Sequence, residues 1–397
     1  MKFTSLFKSA QPSFLWPCLK FRRFHRSHGV LWLGAAAAGC VLACGASGTG
    51  SASDESDAGA SSSSSGANGD GSSSADAAPK GVFLPAPIAP GKGPLSDFAG
   101  RGEDLFVLYQ DLSFWKLHAG SWSSETKAPG DVFDGRIALQ NLVVIPDGRV
   151  CALGGVEAGV CYDEAQKSWV PPAGVRSFNG GTRAFVDEEQ KVWADNLFYT
   201  RSATYWDPAS GAVTVFQDSS KMNGGGFFRS GSFLVWPEAT ATGAGVTLGL
   251  HDMAQVLAQK SMDVAVVERV DLPVAADGST TGFGGTFSGD LIATIPTNAD
   301  GLVTVVRPKN GTIQVLKQTA NVPDFSLLGG ISASDAWGSG HAPRNVAHST
   351  MMHFDGKTWT DGGLADVLLL RGKVDRDGRV WLRTGDETHT QFFWRNP

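Results

Sequence analysis

The stretch DGRVCALGGVEAGVCYDEAQKSW, residues 147–169, is echoed as DGRVWLRTGDETHTQFFW at residues 377–394. Each copy opens with a tight turn, runs into an alternating apolar strand, and passes through a loop into a second strand rich in aromatics. Two such copies so far apart point to an internal repeat, and a missed repeat miscalls the whole fold. Lining up similar strands adds EDLFVLY (103–109), QKVWADN (190–196), GSFLVWP (231–237), GDLIATIP (289–296) and SDAWGSG (334–340). Their matching positions are Phe106, Cys151, Trp193, Phe233, Ile292, Trp337 and Trp381, spaced by 45, 42, 40, 59, 45 and 44 residues. A period in the forties is what a four-stranded propeller blade requires. The 59-residue interval contains LHDMAQVLAQKSMDVAVVERVD, so an insertion or a longer hairpin must sit there.

Within a unit the grammar is constant. NLVVI (141–145) leads to the turn PDG, then RVCALGG, then VCYDE, and a polar turn brings SW at 168–169. The sixth unit repeats it as LLGGI, SASD, AWGSG, MMHFD, DGK and TWT, and no helical period competes. The reading is therefore an all-β chain whose folded region, 80–397, is a single β-propeller of seven four-stranded blades; six or eight remain compatible with the spacing. In such a ring both faces of the middle strands are covered, glycines allow close approach, and tryptophans fill the widening wedge. All but two of the 12 tryptophans lie in this region, and inter-blade packing accounts for them more simply than a sugar-stacking platform. The last unit ends at FFWRNP without a fourth strand, so GVFLPAPI (81–88) is expected to pair with it and close the ring.

Some units resemble known repeats. The second, with Gly154–Gly155, Tyr162 and Trp169, resembles a kelch repeat. The sixth, SASDAWGSG…MMHFDGKTW, is similar to the SD-x-W-x-x-G…HWDG-x-W repeats of bacterial secreted propellers. The last, DRDGRVWLRTG, resembles the DGxLWxGT strand of sensor-associated propellers. These resemblances imply blades, and propellers host many unrelated activities.

The chain begins with Lys2, Lys8, Lys20, Arg22, Arg23 and Arg26, followed by VLWLGAAAAGCVLACGASG. A basic segment, an apolar run of about 14 residues and a small-residue exit is the layout of an export signal, short of the roughly 20 residues of a spanning helix. VLAC (41–44) resembles the bacterial lipobox, which implies lipidation at Cys44; AAGC (37–40) leaves Cys40 as the alternative site. Residues 45–79 are almost entirely Ser, Gly, Ala and Asp and read as a flexible tether. Together, residues 1–44 and the tether imply a propeller held by a lipid anchor to a bacterial envelope membrane, periplasmic or surface-exposed.

A formal net charge of −6 leaves no basic face for nucleic acid. Cys151 and Cys161 are the two cysteines of the folded region. With VEAG as the hairpin loop, Gly155 faces Val160, Cys151 lies opposite Glu164, and Cys161 falls on the other face of the sheet. A bulge at the glycine pair would restore one face and allow a disulfide, so Cys151–Cys161 is a possible bond. CALGGVEAGVC lacks metal-ligand spacing, and neither a metal nor a cofactor is expected. Loops between second and third strands share one end of the ring and supply the candidate ligand contacts: Tyr109, Asp195, Arg201, His341, Arg344, His348, Arg383, Asp386, Glu387 and His389. The last two units are the richest in such groups. The sequence thus favours a non-catalytic, monomeric binding module for a protein partner or a glycan. The competing reading is an extracytoplasmic hydrolase or lyase acting on polysaccharide, with its acids and bases in that sector; a purely structural envelope role is a third.

Overall fold

In the computed structural model the described residues are 81–397, apart from 92, 130–138, 155–157, 173–182, 197–201, 217–226, 239–245, 273–281, 298–300, 310, 320–323, 343–344, 366 and 386–389. The signal, the tether and both lipidation candidates, Cys44 and Cys40, lie outside them. Seven four-stranded antiparallel sheets form a β-propeller. Six are continuous in sequence, spanning 95–125, 139–170, 183–216, 228–272, 282–319 and 324–361. The seventh takes three strands from 369–395 and its outer strand from Leu84–Pro85. The N-terminal strand pairs antiparallel with the last one, Leu84 opposite Trp394 and Pro85 opposite Phe393, and Ala86 N–H donates to the Phe392 carbonyl at 2.8 Å. This is the ring closure read from 81–88. A proline fits here because an outer strand has a side free of ladder bonds.

Burial follows the ring. The second strand Asp104–Tyr109 is buried at every position, since blades pack on both of its faces. The apolar residues sort into seven clusters, one per joint between adjacent blades. In blade two the strand Val150–Gly154 alternates: Val150 and Ala152 join the cluster shared with blade one, whereas Cys151 and Leu153 face blade three. Trp193, Trp206, Trp236, Trp359 and Trp381 are fully buried wedges, which removes them as sugar platforms.

The insertion expected in blade four is a helix, Met253–Gln259, capped by the Asp252 carboxylate accepting from Gln255 N–H at 2.9 Å. It buries Val256 in the cluster that holds Trp193 and Phe216 of blade three, so it adds to the core of that joint. The hairpin of blade two corrects a sequence expectation, being tighter than VEAG would make it. Gly154 faces Ala158, which slides Cys151 directly opposite Cys161, and the two form a disulfide. No bulge is needed there, because the tighter loop alone puts both sulfurs on the face toward blade three.

Candidate functional site

The first strand of each blade is innermost, and residues from all seven first strands and their following turns line a central cavity of about 640 Å³. Each inner strand has an edge with no further strand beside it, so its polar residues face channel water rather than a packed blade. At Gly285 a Cβ would lie 2.3 Å from the Arg229 carbonyl, so only glycine lets blades four and five approach here.

The turns leaving the inner strands of blades three and seven share one device. The Asp187 carboxylate accepts from the backbone of Glu189 (2.9 Å) and Lys191 (2.8 Å), and its other oxygen from the Trp193 indole (2.8 Å). Asp375 repeats this with Asp377 (3.0 Å), Arg379 (2.9 Å) and the Trp381 indole (3.2 Å). An acid six residues before a tryptophan thus closes the turn and fixes the wedge. Burial pushes the Asp375 carboxyl up to about 6, against the pull of the Arg379 and Trp381 donors and with the nearby charge of Asp377 adding to the rise.

Two clusters of charge are built on this frame. At blades three to five, Arg229, with a side chain only 3% exposed, pairs with Asp187 at 2.8 Å and with Glu189, while Lys309 reaches Glu188 at 3.1 Å. Burial acts to lower the Arg229 pKa, yet the bonds to Glu189 and Asp187 outweigh it and the guanidinium stays charged. At the closing seam Asp97 of blade one is fully buried between two cations of blade seven, Lys373 at 2.6 Å and Arg371 at 3.0 Å, and also accepts from the Leu142 N–H of blade two at 2.7 Å. The Lys373 ammonium donates further to the carbonyls of Phe98 (2.7 Å) and Leu142 (3.4 Å). One amine therefore bolts blades seven, one and two together at the channel wall. Burial pushes Lys373 down to about 8, with Arg371's charge adding to the effect and Asp97 opposing it.

The candidates drawn from the far-end loops are distributed differently. Tyr109 is not on a loop surface: it ends a second strand, is buried, and lays its ring where a Cβ on Gly91 would fall, at 2.0 Å. Burial pushes its hydroxyl up to about 12. Arg383 is half-buried on the second strand of blade seven, opposite Arg371, and Asp195 occupies the corresponding place in blade three, opposite Arg183. His341 pairs in register with Asp324 and Ser349, and His348 lies in the strand Asn345–Phe354. Arg201, Arg344, Asp386, Glu387 and His389 fall outside the described residues. Among the described residues no group of three or more His, Cys, Asp or Glu side chains could hold a metal ion, and no helix is long and apolar enough to cross a membrane.

The sequence reading missed Asp97, Arg183, Arg229, Arg371 and Lys373. For Arg183, Arg371 and Lys373 a signal was present: LLRGKV (369–374) and RAFV (183–186) interrupt inner strands with cations, which a buried strand would not tolerate but a channel wall does.

No family model matches this chain, and no curated protein matches it. Among solved structures, a chain of "Crystal Structure of Mitotic Checkpoint Complex" superposes with a TM-score of 0.48 at 13% identity, covering 80% of this chain and 94% of that one.

Proposed function

We propose that this protein is a lipid-anchored binding module of the bacterial envelope, in which the propeller takes a glycan or a protein partner without transforming it. The observation that carries the reading is the chemistry of the channel. It is concave and lined by both cations and aromatic rings, and of its described lining acids Asp187 and Asp375 close turns and Glu188 pairs with Lys309, which leaves Asp377 alone exposed, with no second uncommitted carboxyl beside it to share acid and base roles. A hydrolase or lyase needs carboxyls left to exchange protons with substrate, whereas a binder needs only a rigid, shaped wall. Export and anchoring rest on the N-terminal signal and the lipobox-like VLAC.

Two measurements test the reading. The full chain, immobilised, is offered envelope extract and soluble polysaccharide fragments; recovery of uncleaved ligand supports binding, and release of shortened or unsaturated fragments overturns it in favour of an enzyme. Cys44→Ala should move the protein from the membrane fraction to the soluble fraction, with Cys40→Ala without effect; membrane association surviving both changes would refute the anchor.

A further inference from the structure

We infer that the channel carries a site for the oxyanion of an acidic sugar, built on Arg371 with Arg183 at the same level of the ring. This rests on the binding reading above and names its ligand class. Arg371 lines the cavity with its side chain 41% exposed, and one of its terminal nitrogens holds Asp97. The contact with Asp97 is an ion pair by distance and not a hydrogen bond, so it does not use up the five N–H donors of the guanidinium fork. Lys373 sits on the same carboxylate, so at the seam two cations share one acid. The downward push that Arg371 exerts on Lys373 is a consequence of the same crowding.

Register places Arg183 at the matching height. Val186 faces Val192 in blade three and Val374 faces Val380 in blade seven, each the last pair before its turn. Counting back three residues gives Arg183, facing Asp195, and Arg371, facing Arg383. Blades three and seven stand on opposite sides of a seven-membered ring, and Arg183 also lines the cavity. The channel-facing acids near blade three, Asp187 and Glu188, are held by Arg229 and Lys309 and do not cancel the cations of the seam; at the mouth, Arg376 and Asp377 are both exposed. The cavity, at about 640 Å³, is far larger than a bare oxyanion needs, and half-buried Phe185 and Phe283 supply apolar surface on its wall. A charged group on a ring with one apolar face, as in a uronic acid, uses both features.

The test is calorimetric titration of the full chain with a galacturonate oligosaccharide, with a neutral glucose oligosaccharide, inorganic sulfate and a polyglutamate peptide alongside. Saturable galacturonate binding is expected, weakened at least tenfold in Arg371→Gln and by raised salt, with sulfate competing and the neutral sugar silent. Because Arg371 also touches Asp97, the unfolding midpoint of each variant is measured, and Arg183→Gln serves as a second variant that leaves the seam intact. Galacturonate binding that is absent, or unchanged in both variants, overturns the site. Binding of polyglutamate alone overturns the sugar assignment. Capture of some other ligand by both variants would leave the binding module standing while removing this site, so the two readings fail separately.

Discussion

Replacing Lys373 by methionine isolates the bolt at the ring seam. The methionine keeps the length of the side chain and removes three hydrogen bonds, those to Asp97, Phe98 and Leu142. Asp97 stays fully buried, still held by Arg371 at 3.0 Å and by Leu142 N–H at 2.7 Å. Breaking a buried pair from one side costs about 3–5 kcal/mol when the remaining charge is left alone. The two remaining partners place this change at the lower end, about 3 kcal/mol. For a folded region of roughly 300 residues that lowers the midpoint by about 5 °C. Lys373→Met/Asp97→Asn should recover at least half of the loss, since the amide oxygen still accepts from Leu142 and no charge is stranded. The pH dependence has a definite sign. The folded pKa, about 8, lies below the ordinary 10.5, so the unfolded chain binds more protons between these values and stability rises with pH across that window. The full shift corresponds to about 3 kcal/mol, which the quarter of the side chain left in channel water reduces to about 2 kcal/mol. Guanidinium unfolding followed by tryptophan fluorescence at pH 7 and pH 9.5 reads both effects. A variant within about 1 kcal/mol of the parent, or a parent with no more pH slope than the variant, would refute the argument.

Two further changes probe neighbouring features. At Gly100 a Cβ would lie 2.1 Å from the Trp381 indole nitrogen, a wedge held by Asp375; Gly100→Ala should cost about 1–3 kcal/mol by overpacking, and a neutral result in thermal unfolding would contradict the packing of blade one on blade seven. Cys151 and Cys161 close a loop of sequence separation 10, so Cys151→Ala/Cys161→Ala should lower stability by about 3 kcal/mol, measured by chemical unfolding under non-reducing conditions; an unchanged midpoint would remove the bond's role.

The ring was legible in the sequence because its determinants are local and repeated. The DG turns, the apolar second strands and the tryptophan wedges recur with the blade, and the strand-like 81–88 supplies the outer strand of the last blade through Leu84–Pro85. The disulfide was only half legible: the turn is shorter than VEAG and shifted toward the N-terminus, which changes the residue facing Cys151, and loop length is not encoded by strand pattern. The channel was harder. Asp97, Arg371 and Lys373 are 276 residues apart at their widest pair, and their meeting depends on the seam, so nothing in the segment LSDFAGR marks its aspartate as a receptor for blade seven. Loops drew attention because they are polar, yet Tyr109, read as a loop residue, is part of the core cluster between blades one and seven.

The central claim is that seven copies of one unit make a single ring whose channel exists only when the N-terminal strand completes the last blade. Equilibrium unfolding of a chain lacking residues 81–88 tests it most directly. The deletion removes the Leu84–Pro85 pairing with Trp394 and Phe393 and takes Phe83 off Trp337, so the whole ring should unfold at lower denaturant in one destabilised transition. A midpoint and slope equal to those of the intact protein would show that the strand does not close the ring.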